Sequence, residues 1–356
     1  MKKILRKYGL LLLITLISIG LVTGCGGAKQ ETNEQKANGE QKQEVIEIKL
    51  AHSSPAANDK LEYACQEFKK YVEEKTNGKV KITTYPASQL GAEREQLEGL
   101  QLGTIEMAAL STGPFPGIFP EIMVFDMPFL FSSDKVAYEV LDGPLGSEIF
   151  DLMREKTGIK GLAWGENGFR HFTNSVRSIK KPDDMKGLKI RTMENPAHMA
   201  MVTALGASPT PMAFNEVYTA LQQKVVDGQE NPVSLIVSMR FHEVQKFVTL
   251  DGHVYSPHIL LINDKFYNSL PEDVQKVFNE GAEIWKDEER KYNKTQTKEG
   301  LKIMKEAGVE VTELSLEEVQ AFRDATKSVY ETIGKKEVGE ELLNKVLEAV
   351  RQAESK

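Results

Sequence analysis

Three short segments hold the polar side chains whose types could do chemistry in this chain of 356 residues. Residues 164–171 set Arg170 among aromatic side chains in a glycine-interrupted loop that follows a predicted strand. Residues 187–196 place Arg191 near the carboxyl end of a predicted strand, where α/β sheets bind ligands. A guanidinium matches a carboxylate in two parallel hydrogen bonds, so either arginine could hold an organic anion. Spacing alone favours a solvated strand face for Arg191, and a surface arginine that covers aromatic rings fits Arg170 equally well.

The third segment, residues 227–232, ends in Glu-Asn-Pro, and the same tripeptide occurs at 194–196. Asn as N-cap followed by Pro is a favourable helix start, which predicts that Asn195 and Asn231 each begin a helix. A helix start also presents free N–H groups and therefore favours a bound anion. For Asn195 the role of helix cap is a sufficient explanation. For Asn231 the helix cap is the alternative to a ligand-binding role.

The sequence shows no pattern of a catalytic, metal or cofactor site. It contains neither a G-x-x-x-x-G-K-[ST] phosphate loop nor a G-x-S-x-G nucleophile turn. His242-Glu243 is followed by Lys246 where a zinc-protease helix needs its second histidine, and the six histidines lack metal-ligand spacing. We therefore expect neither an enzyme nor a resident metal or cofactor. The net charge of −7 argues against nucleic-acid binding, which needs a basic face.

Residues 1–24 are predicted to be a secretory signal peptide, because four basic residues precede a short apolar run that ends in small residues. Residues 22–25, Val-Thr-Gly-Cys, resemble a bacterial lipobox, in which cleavage exposes Cys25 for lipidation; a plain signal peptide with an incidental cysteine is the alternative. Residues 26–44 contain no apolar side chain larger than alanine, which predicts a lipid-anchored flexible tether over 25–44. Export to the outer face of the cytoplasmic membrane follows, on the periplasmic side if the host has an outer membrane. Cleavage leaves 41 basic and 52 acidic residues, a net charge of −11.

The remaining chain alternates predicted strands and helices. Strands near 46–50, 80–82 and 105–110 enclose two helices, and this βαβαβ order implies a parallel sheet. Cys65 falls on the apolar face of the first helix, so we expect it in the core. A second region has predicted strands at 159–164, 188–192, 225–227, 247–250 and 254–262, and a long helix runs from 272 past Trp285. Two α/β lobes bridged by that helix, with a ligand cleft between them, are the simplest assembly.

The sequence also resembles the solute-binding proteins of tripartite ATP-independent periplasmic (TRAP) transporters, the C4-dicarboxylate-binding or DctP-type family. The resemblance covers residues from about 46 to about 338. It implies a two-lobed, periplasmic-binding-protein-like α/β fold with a hinge, an interlobe cleft and a long C-terminal bridging helix. We expect residues 45–167 with about 257–296 in lobe I, and 168–256 with about 297–350 in lobe II. The motifs that carry the resemblance lie at 88–91, 98–103, 184–191, 205–207, 211–222, 226–232 and 241–246.

The resemblance implies roles for particular residues. Arg191 on the Lys-x-Arg strand and Arg170 in the Asn-Gly-x-Arg turn are expected to bind the ligand carboxylate. The side chain of Phe214 in Pro-Met-x-Phe is expected to pack on the ligand, and that of Asn231 in Gln-Glu-Asn-Pro to hydrogen-bond it. Residues 109–113 lack the acidic residue that sialic-acid binders of the family carry there, which argues against sialic acid. Further contact candidates are His52, for which an exposed strand end is the alternative, and Ser111, Trp164 and Asn167.

The implied function is capture of an organic acid outside the cytoplasmic membrane and its delivery to TRAP membrane permease subunits, with no covalent change and no cofactor. C4-dicarboxylates and sugar acids both fit the sequence, and the ligand stays open between them. A lipoprotein that feeds an ATP-driven (ABC-type) importer is one alternative. A secreted hydrolase is another.

Overall fold

The computed structural model describes residues 45–356. The predicted signal peptide, the tether and Cys25 lie outside these residues. None of the helices in the described part of the chain is long and apolar enough to span a membrane. The described strands, in chain order, are β1 Ile46–Ala51, β2 Val80–Tyr85, β3 Met107–Ser111, β4 Ile159–Trp164, β5 Gly168–Asn174, β6 Lys189–Thr192, β7 Ser208–Pro211, β8 Gly228–Pro232, β9 Phe247–Ser256, β10 His258–Asn263 and β11 Glu310–Glu313.

The helices carry the connections between these strands. Short 3₁₀ turns occur at Phe115–Gly117, Pro120–Asp126, Pro182–Met185, Phe214–Glu216 and Phe241–Glu243, and Tyr330–Gly339 is a π-helix. The α-helices are α1 Lys60–Lys75, α2 Glu93–Leu102, α3 Asp134–Leu141, α4 Pro144–Thr157, α5 Pro196–Ala204, α6 Val217–Gln222, α7 Val233–Ser238, α8 Asp264–Ser269, α9 Glu272–Glu306, α10 Leu316–Ala325 and α11 Glu340–Glu354.

Two sheets organise the protein. The first has the order β2-β1-β3-β10-β4, with β1 parallel to β2 and β3 as the βαβαβ pattern predicts. Its fourth strand, β10, returns from the C-terminal half and runs antiparallel to β3 and β4. The second sheet has the order β11-β9-β5-β8-β6-β7, in which β5 is antiparallel to β8 and β9. This two-sheet α/β architecture confirms the predicted fold class.

The described chain crosses between the sheets three times, at residues 165–167, at Pro257 and through α8 and α9 between β10 and β11. The 35-residue helix α9 also spans both halves, which confirms the predicted long helix. It contains two glycines because neighbouring helices approach it closely. A Cβ on Gly281 would lie 3.1 Å from the ring of Phe68 in α1, and one on Gly300 would lie 2.9 Å from Val233 in α7.

The strands predicted from sequence patterns were wrong mainly in the second sheet. Residues 168–171, predicted as part of a loop, belong to β5, and β7 was not predicted. The strand predicted at 225–227 lies instead at 228–232. In contrast, Cys65 is fully buried in the core as expected. The boundaries of the two predicted lobes stay a prediction.

Candidate functional site

Arg191 is the third residue of β6, and its side chain is only 2% exposed. The solvated strand face expected from spacing is therefore wrong for Arg191, although Lys189 is exposed. The chain after β7 covers the guanidinium, and the carbonyl oxygen of Met212 accepts from Nε at 3.2 Å and from Nη2 at 2.8 Å. Nη1 has no hydrogen-bond partner among residues 45–356. Burial lowers the pKa of Arg191 to about 10 despite the attraction of Glu230, so the group is charged at neutral pH.

Arg170 is equally buried, because it lies in β5 between two paired strands and not in a surface loop. Its Nε and Nη2 contact the two carboxylate oxygens of Glu230, and the Nη2–Oε1 distance is 2.9 Å. Nη2 also donates to the backbone oxygen of Glu230 at 2.6 Å. Burial alone would raise the pKa of Glu230, but Arg170 and His198 outweigh it and hold that pKa well below its usual range. Within the described chain, Arg170 thus keeps only Nη1 without a partner.

Both arginines line a small cavity that we call the inner pocket. The ring of Phe214 also lines it, with its centroid 5.9 Å from Cζ of Arg191. Asn231 reaches the pocket from β8, and its predicted role as a helix cap is wrong because β8 stays paired with β5 through Pro232. Asn195, in contrast, caps α5 as predicted. The predicted site residues that the structure brings together in the inner pocket are Arg170, Arg191, Phe214, Asn231, Ser111 and Asn167.

Two further candidates do not line the inner pocket. His52 is fully buried, not an exposed strand end, and its Nε2 lies 2.7 Å from Oε2 of Glu62. Trp164 stacks on Phe150 with ring centroids 4.3 Å apart and packs edge-on against Phe125. Neither side chain is therefore placed in the lining of the inner pocket, and a ligand contact of either one stays a prediction.

Glu93 lines the inner pocket and was missed in the sequence. It is the first residue of α2, where an acidic residue is expected simply to stabilise the helix start, so its position carried no distinctive signal. Its Oε1 accepts hydrogen bonds from the Ser111 backbone N at 3.1 Å and the Ser111 hydroxyl at 2.9 Å. A carboxylate therefore does stand beside residues 109–113, which removes the ground for arguing against sialic acid from that segment.

A larger outer cavity lies next to the inner pocket. The inner pocket has a volume of about 20 Å³, room for little more than one water molecule. The outer cavity has about 440 Å³. Glu93, Arg191, Met193 and Phe214 line both spaces, so these four side chains form the wall between them. Met193 packs tightly here, because a Cβ on Gly113 would lie 2.4 Å from its sulfur.

A buried group of histidines and carboxylates lies behind Arg170. His253 Nδ1 is 2.9 Å from Oδ2 of Asp251, and its Nε2 is 3.2 Å from Oε2 of Glu230. Burial alone would lower the pKa of His253, but these two carboxylates outweigh burial and raise the pKa to about 9. His253 is therefore a cation at neutral pH.

His198 completes this group between two carboxylates. Its Nδ1 lies 3.6 Å from Oε1 of Glu230 and its Nε2 lies 3.6 Å from Oδ1 of Asp126. Burial opposes its charge, but Glu230 and Asp126 together raise the pKa of His198. Arg170 and His253 thus stand as cations among these carboxylates, and Arg191 lies nearby as an additional positive charge.

Comparisons with known proteins identify the family to which the chain is related. Residues 50–337 match the family model of bacterial extracellular solute-binding protein, family 7. The chain is 38% identical over 268 residues to the 2,3-diketo-L-gulonate-binding periplasmic protein of Escherichia coli K12, covering 75% of this chain and 80% of that protein. The sugar acid binding protein of Advenella mimigardefordensis in complex with galactonate is 36% identical with a TM-score of 0.84, covering 87% and 99% of the two chains. A TRAP periplasmic solute binding protein of Sulfurospirillum deleyianum with bound succinate is 32% identical with a TM-score of 0.80, covering 85% and 98%.

Proposed function

The chain belongs to the bacterial extracellular solute-binding proteins of family 7, and we propose that its inner pocket captures an organic acid for a TRAP transporter. The ligand's carboxylate sits between Arg170 and Arg191, and the membrane permease subunits of the transporter receive it. The protein changes no covalent bond of the ligand. Its role is recognition and release.

One observation carries this proposal: Arg191 is a buried cation with a free donor group. Two of its nitrogens are held by Met212, and no carboxylate of residues 45–356 pairs with it. Burying a charge without an ion partner is costly, and such costs are typical of functional sites. A ligand carboxylate would supply the missing partner through charge-assisted hydrogen bonds of about 1.5–3 kcal/mol each.

Glu93 favours a hydroxylated monocarboxylate over a C4-dicarboxylate. Its carboxylate lines the same pocket as Arg191 and accepts hydrogen bonds from Ser111. A carboxylate accepts hydrogen bonds from ligand hydroxyls, but it repels a second ligand carboxylate. We therefore assign the ligand to the sugar acids, with the acid group at the two arginines and a hydroxyl at Glu93. The relatives that bind galactonate and 2,3-diketo-L-gulonate support this class. The relative that binds succinate supports the competing class, the C4-dicarboxylates.

The outer cavity suits the length of such a ligand. The inner pocket holds little beyond the carboxylate, so the carbon chain of a sugar acid would pass Met193 and Phe214 into the outer cavity. Glu95, Glu194 and Glu216 also line that space, and so does Arg94, which pairs with Glu98 at 3.3 Å. This excess of carboxylates suits hydroxyl groups and disfavours a second anion. The apolar faces of Met193 and Phe214 would pack on the carbon skeleton.

The cellular location is extracytoplasmic, as for the family. We further propose that Cys25 is lipidated after cleavage of residues 1–24, and that residues 25–44 tether the binding body to the outer face of the cytoplasmic membrane. A lipid chain buried in the bilayer would hold the receptor within reach of its permease.

A thermal-shift screen of the purified protein tests the ligand class, because a ligand that binds only the folded state raises its melting temperature. The panel contains aldonates and uronates, C4-dicarboxylates, and the neutral sugars that match the aldonates. We expect aldonates or uronates to give the largest shifts, and the neutral sugars to give none. A larger shift with succinate or malate would reverse the assignment within the family, and shifts with neutral sugars alone would remove the role of Arg191.

A further inference from the structure

Lys60, the first residue of α1, is completely buried although it is a lysine. Its Nζ donates to the backbone oxygen of Asn167 at 2.6 Å, to the Ser234 hydroxyl at 2.6 Å and to Oδ1 of Asn293 at 3.0 Å. These acceptors belong to the crossover between the sheets, to α7 and to α9, respectively. One ammonium therefore joins four segments that are far apart in the sequence.

The hydrogen-bond partners of this nitrogen suit its protonated form, although burial lowers the pKa of Lys60. The Ser234 hydroxyl lies 2.8 Å from Oδ1 of Asn293 and can donate its proton there, which leaves its oxygen to accept from Lys60. Three acceptors then use all three N–H groups of an ammonium, whereas a neutral amine would offer only two. Among residues 45–356 no carboxylate pairs with Lys60, and a buried charge held only by neutral groups is a poor source of stability.

The partners of Lys60 lie beside the ligand pocket, but Lys60 itself does not line it. The side chain of Asn167 lines the inner pocket, and its Oδ1 has no partner in the described part of the chain. Ser234 stands three residues after Asn231, and the next residue, Leu235, is also a pocket residue. Lys60 thus fixes the backbone that presents pocket residues from the crossover and from the second sheet.

The two residues before Lys60 hold the same helices. The backbone oxygen of Asn58 accepts from Nε2 of Gln296 in α9 at 2.6 Å. Oδ2 of Asp59 accepts from the Ser238 hydroxyl in α7 at 3.0 Å. Each of the three residues 58–60, which follow the first strand of the first sheet, therefore hydrogen-bonds to α7, to α9 or to both.

We propose that Lys60 is a positioning residue for ligand binding, which holds Asn167 and the start of α7 in place around the ligand's acid group. This inference rests on the proposed function, since it concerns the same pocket. A residue with a merely structural role would lose stability and affinity together when replaced. A positioning residue whose buried charge costs stability would separate the two.

Lys60→Met tests this, because methionine keeps most of the side-chain length and removes the charge. We expect the ligand-free variant to melt at or above the wild-type temperature, since replacing buried ionic groups by apolar ones is often neutral or stabilising. We expect its dissociation constant for D-galactonate to rise about tenfold, the scale of one lost hydrogen bond.

Ser234→Ala should weaken binding similarly but lower the melting temperature, because it leaves the charge buried with one acceptor fewer. Lys70→Met, at an exposed position of the same helix, is the control.

Hydrogen exchange of the ligand-free proteins completes the test. We expect faster exchange in residues 165–167 and 233–238 of Lys60→Met, and no change in Lys70→Met. Unchanged exchange would overturn the proposal whatever the binding result, and so would unchanged affinity despite faster exchange. If Lys60→Met has both a lower melting temperature and a lower affinity than the wild type, Lys60 has only a structural role. If the wild type binds no acid in the screen, the proposed function fails by that result alone, and the positioning role fails with it.

Discussion

Replacing Arg191 by lysine keeps the positive charge of the inner pocket and removes the planar arrangement of its donors. In the structure, Nε and Nη2 are held by the Met212 carbonyl while Nη1 has no partner in the described chain. The guanidinium can therefore be anchored and bind a carboxylate at the same time. A lysine has one nitrogen for both tasks, so either its anchor or its ligand contact is weakened.

The expected magnitude follows from the hydrogen bonds that each substitution removes. One charge-assisted hydrogen bond contributes about 1.5–3 kcal/mol, so Arg191→Lys should weaken binding by about 10-fold to 150-fold. Arg191→Met also removes the charge and leaves the ligand carboxylate with Arg170 alone, whose charge is already paired with Glu230; breaking a buried ion pair costs about 3–5 kcal/mol. The ligand-free stability of Arg191→Met should not fall, because burial already opposes the charge and lowers the pKa of Arg191 to about 10.

Isothermal titration calorimetry with D-galactonate measures both variants. Arg240→Lys is the matched control, because Arg240 is exposed and pairs only with Glu243 at the surface. Melting temperatures without ligand establish that each variant is folded. Affinity of Arg191→Lys equal to that of the wild type and of the control would refute the proposed carboxylate contact.

Three further predictions concern selectivity, pH and location. Glu93→Gln should improve binding of succinate relative to galactonate, because it removes the negative charge that repels a second carboxylate; equal ratios of the two dissociation constants in variant and wild type would contradict this role of Glu93. Burial opposes the charge of His253, but Asp251 and Glu230 raise its pKa from 6.5 to about 9. The protonated side chain therefore stabilises the folded protein fully below about pH 6.5, and this stabilisation is lost as the pH rises through 9. Denaturant unfolding should therefore show that the free energy of unfolding falls by about 3 kcal/mol over that interval in the wild type and not in His253→Gln. Identical pH profiles of the two proteins would contradict this role of His253. Cys25→Ser should move the protein from the membrane fraction to the soluble fraction, and its retention in membranes would exclude lipid anchoring.

The elements of the first sheet could be predicted from the sequence because their buried residues are apolar and follow a regular period. The strand β5 could not, because the residues that face inward include Gly168 and Arg170, which resemble a loop. Likewise, β8 buries Gln229, Glu230 and Asn231. The partners that make these polar residues tolerable lie on other strands, so no local pattern predicts them. Such conflict between local pattern and fold is expected at functional sites.

The contribution of Glu93 was hidden for a different reason. A carboxylate in the first turn of a helix stabilises that helix wherever it lies, so its type and position fit an ordinary role. Only the fold shows that α2 begins beside the last residue of β3, where Ser111 donates to Glu93. The residues that we propose bind the acid group were recognisable from motifs, whereas the proposed role of Glu93 depends on contacts between segments.

The arrangement of the pocket also explains how an acidic protein can bind an anion. The net charge of −7 opposes capture at long range, but exposed charges are screened beyond about 10 Å in salt. The Glu230 carboxylate is already paired with Arg170 and His253, so an arriving carboxylate meets the unpaired donors of Arg170 and Arg191. Arg170 and Arg191 stand on the second sheet, and Glu93 and Ser111 belong to segments of the first. A ligand that contacts both sets would bind this arrangement more tightly than one in which the two sets stand apart, and would therefore favour closure of the predicted hinge. On the proposed assignment, the hydroxyl contact to Glu93 would contribute to that closure because Glu93 lies opposite the two arginines.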